Sequence, residues 1–159
     1  MSNETEAATN QFLTFSLDQE IYAMDIDSVK EVLELTRITK VPRTPESMRG
    51  VINLRGHAVP VFDLRKKFHL PMGDDTVDTC IIILDVEQEN DSLTIGALVD
   101  SVSEVIEIRP DSIEPVPTMG LSLDNRFVKG MGRRDDDFVI ILDCMKIFDS
   151  EELNVAQES

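Results

Sequence analysis

The sequence predicts an all-β protein built from two copies of one small, barrel-sized unit. Its apolar stretches are short, rich in β-branched residues and alternate with polar ones, the period of half-buried strands. About nine such stretches are separated by turn signals, the pattern of a sandwich or barrel. One segment recurs: residues 27–35 read Asp-Ser-Val-Lys-Glu-Val-Leu-Glu-Leu and residues 100–108 read Asp-Ser-Val-Ser-Glu-Val-Ile-Glu-Ile, six of nine positions being identical.

Each element follows from local chemistry. Residues 12–17 alternate and end at the polar turn Asp18-Gln19-Glu20. Ile21, Ala23 and Asp25 then alternate with Tyr22, Met24 and Ile26 to complete a hairpin. Further strands are expected at 31–35, 51–54, 58–62, 79–85, 93–99, 104–108 and 138–142, and short helices at 27–30, 46–48 and 63–68. The best helix is C-terminal, from about 143 to 148 and continuing into 151–155.

The repeat extends on both sides of the shared segment. Arg49-Gly50 aligns with Lys129-Gly130, Val59 with Val139, Asp63 with Asp143, Lys66 with Lys146 and Phe68 with Phe148. Upstream, Leu17-Asp18 aligns with Leu84-Asp85, so the offsets run from 67 through 73 to 80, as loop insertions produce. Residues 1–10 read as a disordered tail, 11–159 as one domain of two intertwined barrels at about 11–77 and 78–149, and 150–159 as an extension. A unit of about 70 residues is marginal alone, so the two gain by burying apolar surface against each other. The seam between them is a natural groove, which the repeated segment could flank.

Composition narrows the function. The 159 residues include 15 basic and 31 acidic side chains, a net charge of −16. With no signal peptide and no apolar run near the ~20 residues of a membrane span, a cytosolic protein is expected. Cys80 and Cys144 sit in apolar runs without a CxxC partner, and His57 and His69 are isolated, so no metal site and no cofactor are expected. Phosphate-binding glycine loops and nucleophile elbows are missing from the sequence, and Asp135-Asp136-Asp137 suits a hairpin turn, so no catalytic residue is assigned. Residues 37–67 carry eight basic side chains and two acids, net +6, against −22 for the rest. This segment is either a solvated face or a contact face for an acidic protein partner. An SH3-like nucleic-acid-binding module is the alternative of a different class, but a pI near 4.3 and few aromatics argue against nucleic acid.

The segment Met48-Arg49-Gly50-Val51-Ile52-Asn53-Leu54-Arg55-Gly56-His57-Ala58-Val59-Pro60-Val61-Phe62-Asp63-Leu64-Arg65 reads as a strand, a turn and a returning strand. Gly56 takes positive φ at little cost, and Pro60, lacking an N–H, suggests an edge strand or a bulge with Arg55 exposed beside it. Here the sequence resembles the CheW family of chemotaxis coupling proteins, whose signature is Gly-Val-x-Asn-Leu-Arg-Gly, then Pro and Asp-Leu-Arg. The resemblance runs through nearly the whole chain, including Val99-Asp100-Ser101-Val102-Ser103-Glu104-Val105 and Ile113-Glu114-Pro115-Val116-Pro117.

It implies two packed SH3-like five-stranded β-barrels with short connecting helices and a C-terminal helix. It also implies a non-enzymatic adaptor, recruited to the inner face of the membrane only through receptors. Its partners would be the cytoplasmic helical hairpin of chemoreceptors and the regulatory domain of the histidine kinase CheA; a coupling paralogue of another chemosensory array is the alternative within that class. Carried over position by position, Arg55 engages the receptor and pairs with Glu31, while Val29, Gly50, Val102 and Val105 couple to the receptor near the inter-barrel groove. Glu114, Thr118 and Met119 fall where the family makes a second kinase contact, although their residue types depart from the family's.

Overall fold

The computed structural model describes residues 10–71, 73–88, 91–116 and 125–158. The first half holds β1 (Asn10–Leu17), β2 (Glu20–Asp25), a single 3-10 turn (Ile26–Ser28), β3 (Val29–Glu34), β4 (Met48–Leu54), β5 (His57–Asp63) and α1 (Leu64–Lys67). The second holds β6 (Cys80–Gln88), β7 (Asp91–Val99), β8 (Ser101–Ile108), 3-10 turns at Pro110–Ser112 and Asn125–Phe127, β9 (Val128–Arg134), β10 (Asp137–Leu142), α2 (Cys144–Ile147) and α3 (Ser150–Glu158).

Two five-stranded sheets result, ordered β8-β1-β2-β10-β9 and β3-β6-β7-β5-β4. Exchanging each strand for its repeat partner (β1 with β6, β2 with β7, β3 with β8, β4 with β9, β5 with β10) turns one order into the other. Each sheet contains one parallel pair, β2 with β10 and β7 with β5, at equivalent places. A bridge between Thr39 and Val51 returns the chain after β3 to β4 and closes one barrel; its counterpart joins Glu114 to Met131.

The barrels do not divide the chain into 11–77 and 78–149 as the repeat alone suggests. One uses β3 to β7, and the other combines β1 and β2 with β8 to β10. Each repeat thus lends its first two strands to the barrel of the other. The chain crosses between sheets at Ile26–Ser28 and again at Asp100, the only residue between β7 and β8. The recurring Asp-Ser-Val-x-Glu-Val segment lies at both crossings. The ladders also correct the upstream alignment: Val29 faces Leu84 and Val102 faces Phe15, so Phe15 corresponds to Leu84, at an offset of 69 rather than 67.

Packing explains the patterning. Leu13, Phe15, Leu17, Tyr22 and Met24 from one sheet meet Phe62, Ile82, Leu84, Val86, Ile95 and Val99 from the other in one shared core. The opposite faces fill the barrel interiors: Ile52, Val59, Val61, Ile81, Ile83 and Leu98 in one, Phe12, Ala23, Ile108, Val139 and Ile141 in the other. Strand β6 is therefore apolar on both faces, which is why Ile81 to Leu84 run without a polar break.

Four local expectations need correction. Strand β9, with Gly130, Gly132 and two terminal arginines, carries no alternating apolar signal and was legible only as the repeat of β4. No helix forms at 46–48, because the Met48 N–H turns back to the Pro45 carbonyl and Met48 opens β4. The expected helix at 27–30 is the turn Ile26–Ser28, after which Val29 and Lys30 join β3. The C-terminal helix breaks at the extended Phe148 and restarts at Ser150, where Asp149 and Glu152 each accept the other's backbone N–H in a capping box. Glu152 is buried and also binds Lys67 and Ser47, pinning α3 to the other barrel.

Cys144 lies in the shared core, where burial pushes its thiol up to about 12, and Cys80 is half-buried with its thiol also raised by desolvation. A thiol reagent at pH 8 is therefore expected to leave Cys144 silent and to label Cys80 slowly, both reacting at once in denaturant. Prompt labelling of two thiols in the native protein would contradict this packing.

Candidate functional site

Strands β4 and β5 are joined by a two-residue turn in which Arg55 (φ 52°) and Gly56 (φ 87°) both take positive φ. This is the hairpin geometry that matches strand twist, and Asn53 Oδ1 locks it by accepting the Gly56 N–H at 2.8 Å. The turn aims Arg55 back at β3. Its guanidinium grips Glu31 with two parallel bonds, Nη1 to Oε2 at 2.7 Å and Nη2 to Oε1 at 2.9 Å. The ion pair expected between them forms.

Arg55 stays 70% exposed while Glu31 is 28% exposed, so the carboxylate is saturated and the outer face of the guanidinium is offered to solvent. The Arg55 hydrogen bonds hold the Glu31 carboxyl below its usual range and raise Arg55 in turn. Lys30 extends this polar face by reaching Asp85 and Thr94, each at 3.4 Å. Leu54, His57, Ala58 and Leu93 line a shallow depression beside them. Pro60 does not mark an edge. β5 lies between β7 and β4, and the parallel ladder to β7 begins only at Val61, so no N–H is missed.

Val29 and Val102 occupy equivalent register positions just after the two crossings, and both pack, half-buried, against the shared core. Val105 is exposed on β8, as its repeat partner Val32 is on β3. Gly50 is buried: a Cβ there would sit 2.2 Å from the Thr39 carbonyl oxygen, so its surface contribution is indirect. Glu114 lies apart from this group, bridged to Met131 and accepting a bond from Arg133 Nε at 3.1 Å. Thr118 and Met119 lie outside the described residues.

Sequence reasoning left the Asp-Leu-Arg signature without a role. Asp63 and Arg65 are both buried. Asp63 caps α1 by accepting the Arg65 N–H and grips the Arg65 side chain through Nε and Nη2, each at 3.1 Å. Arg65 also meets Asp75 and Asp100, each at 3.4 Å, and Arg49 bonds Asp63 and Asp75. Because Asp100 also accepts the Asp18 N–H, this network runs from α1 of one barrel to the β1–β2 turn of the other. The i, i+2 spacing of Asp63 and Arg65 was the available signal.

Among the described residues no group of His, Cys, Asp or Glu could hold a metal ion, and no helix is long and apolar enough to cross a membrane. What the chain presents is a charged, bidentate-locked surface beside half-buried valines, which suits recognition of another protein.

Comparison with known proteins agrees. The model of the CheW-like domain matches residues 11–152. The chemotaxis protein CheW of Klebsiella aerogenes is 33% identical over 93% of this chain and 87% of its own length. That of Helicobacter pylori is 36% identical over 83% of this chain and 77% of its own. The crystal structure of the scaffolding protein TtCheW from Thermoanaerobacter tengcongensis is similar with a TM-score of 0.80 and 38% identity, covering 91% of this chain and 90% of that one.

Proposed function

This chain belongs to the CheW family of chemotaxis scaffold proteins, and we propose that it couples the cytoplasmic helical hairpin of transmembrane chemoreceptors to the regulatory domain of the histidine kinase CheA. In this role it performs no chemistry of its own and needs no cofactor. It reaches the inner face of the membrane only through receptors. Coupling is a difference in contact free energy: receptor states that grip the adaptor differently shift the kinase between states of different activity.

The observation that carries the proposal is the Arg55–Glu31 pair, held by a strained turn yet turned largely outward. A bidentate pair fixes the guanidinium plane, so a receptor acceptor meets a donor already oriented. Val29 and Val102, placed alike by the repeat, supply the apolar flanks against which a helix can lie. Gly50 supports that face from beneath, and Val105 extends it. Glu114, with Thr118 and Met119, forms the second kinase contact that closes a ring of alternating kinase and adaptor domains.

Co-sedimentation with receptor-bearing membranes tests this. The chain is expected to pellet with receptors and to bring the kinase's regulatory domain down only when itself present; failure to bind either partner would overturn the proposal. Arg55→Ala is expected to lower receptor binding about tenfold, the scale of one oriented charge-assisted contact. Its unfolding midpoint should barely move, since an exposed pair contributes little to stability. A large loss of stability with unchanged receptor affinity would make Arg55 a structural residue.

A further inference from the structure

We propose that the cleft between the β3–β4 connection and α1 is a docking site for an acidic segment of a partner protein. The cleft is lined by Lys40, Val41, Arg43, Arg49, Arg65 and Lys66, with Glu46, Asp74 and Asp75 on its acidic side. It shares no residue with the depression beside Arg55 and does not include Glu114, so it lies outside both surfaces assigned to receptor and kinase. Five of the eight basic side chains of residues 37–67 line it, and three of these, Lys40, Arg43 and Lys66, belong to none of the ion pairs described above.

The cations fall into two sets. Arg49 and Arg65 are committed to Asp63 and Asp75. Lys40, Arg43 and Lys66 are exposed, and among the described residues no carboxylate lies within ion-pair distance of them. In a chain with 31 acidic side chains, three cations left unpaired on one cleft stand out.

The connection that carries two of them is ordered and constrained. Pro42 and Pro45 limit its backbone, Thr44 Oγ1 donates to the Val41 carbonyl at 3.1 Å, and the Thr39–Val51 bridge anchors its start. Arg43 takes a φ of 63°, a conformation L residues rarely adopt outside sites where the surroundings enforce it. A loop held this way presents its charges with little ordering entropy left to lose on binding.

Charge complementarity selects the occupant. A small multivalent anion would need donors converging on one point, but the cleft's two inner guanidinium groups, buried Arg65 and half-buried Arg49, are already committed to Asp63 and Asp75. A nucleic acid would meet the −22 of the remaining surface along its length. A short acidic segment feels charges only within a Debye length of roughly 8 Å at physiological salt, and exposed Val41 offers it an apolar contact.

The test is an amide NMR titration of the full chain with a peptide of Glu-Glu-Leu repeats, and in parallel with its Lys-Lys-Leu counterpart. The glutamate peptide is expected to shift the amides of Lys40, Arg43, Thr44 and Lys66 and to weaken as salt rises. The triple variant Lys40→Glu, Arg43→Glu, Lys66→Glu should lose affinity about tenfold or more. A variant of equal net charge, Arg109→Glu, Lys129→Glu, Lys146→Glu, should keep it. Should the reversal variant unfold, the three alanine substitutions read the same loss. Equal binding of the lysine peptide, shifts centred elsewhere, or full affinity in the reversal variant would each overturn the proposal. Tighter binding of inorganic phosphate or oligothymidine at the same amides would also overturn it, in favour of a phosphate ligand. None of these outcomes bears on receptor coupling, which is read at Arg55.

Discussion

Replacing Arg65 by alanine is expected to cost about 3–4 kcal/mol of stability, the scale for removing one partner of a buried ion network. Arg65 is 3% exposed and Asp63 is fully buried, so the variant leaves a carboxylate in the interior with only Arg49 to balance it. The loss should appear as a fall of about 10 °C in the thermal midpoint, since each kcal/mol moves a domain of this size by roughly 2–4 °C. Arg65→Lys should recover part of the loss, keeping the charge without the fork that serves Asp63, Asp75 and Asp100 together.

The acid limb provides a second readout. Partial burial pushes the Asp75 carboxyl up, but the hydrogen bonds and charges of Arg49 and Arg65 more than reverse this and leave it below its ordinary value. A lowered carboxylate contributes stability that is complete above the unfolded-state pKa, near 3.9 for Asp, and lost as pH falls through the folded value. Without Arg65 that depression shrinks, so acid unfolding should begin at a higher pH than in the parent protein. A stability loss under 1 kcal/mol and an unmoved acid limb would mean that water replaces the guanidinium freely.

Gly50→Ala is expected to cost about 2–4 kcal/mol, combining backbone strain with overpacking. Gly50 sits at φ 146°, and its new methyl would lie 2.2 Å from the Thr39 oxygen and 2.8 Å from the Thr39 carbonyl carbon, both backbone atoms that cannot rotate away. The first casualty is the Thr39–Val51 bridge that closes the barrel, so exchange of those two amides should rise sharply. Any defect in receptor binding should follow the stability loss and recover when the protein is stabilised. Lost receptor binding in a Gly50→Ala protein of unchanged stability would instead make this a contact position.

The same glycine shows how the repeat transmits structural information. Gly130 meets the Glu114 carbonyl oxygen and the Ile113 side chain as Gly50 meets Thr39 and Ile38. Aligning Arg49-Gly50 with Lys129-Gly130 was therefore the one signal in the sequence for β9, a strand that its own glycines and arginines conceal and that the alternation did not predict. The alignment failed by two residues upstream of the crossings because a hairpin's length is free to drift. There, Leu17-Asp18 closes β1 at its turn, whereas Leu84-Asp85 lies inside the longer β6, paired with Ile95 and Thr94, so the shared dipeptide marked different places in the two ladders. For the site, the motif around Arg55 identified the pair with Glu31. It could not show that Gly50 lies beneath the surface or that Asp63 and Arg65 are interior charges, because burial depends on what folds over a residue.

Nine of the ten strands among the described residues, the duplication and the Arg55 turn were determined by the sequence alone, since alternation, repeated residues and positive-φ turn chemistry act over a few neighbours. Which strands share a barrel was decided only by tertiary structure. A strand's two-residue period is satisfied equally well against either sheet, and nothing local distinguishes β1 and β2 paired with β3 from β1 and β2 paired with β8 and β10. The choice falls to the two short crossings at Ile26–Ser28 and Asp100, which send the chain into the other barrel, and to the shared core that this exchange buries. The network from Arg65 through Asp100 to Asp18 exists for the same reason: residues far apart in the chain meet only once each repeat has lent its strands to the other.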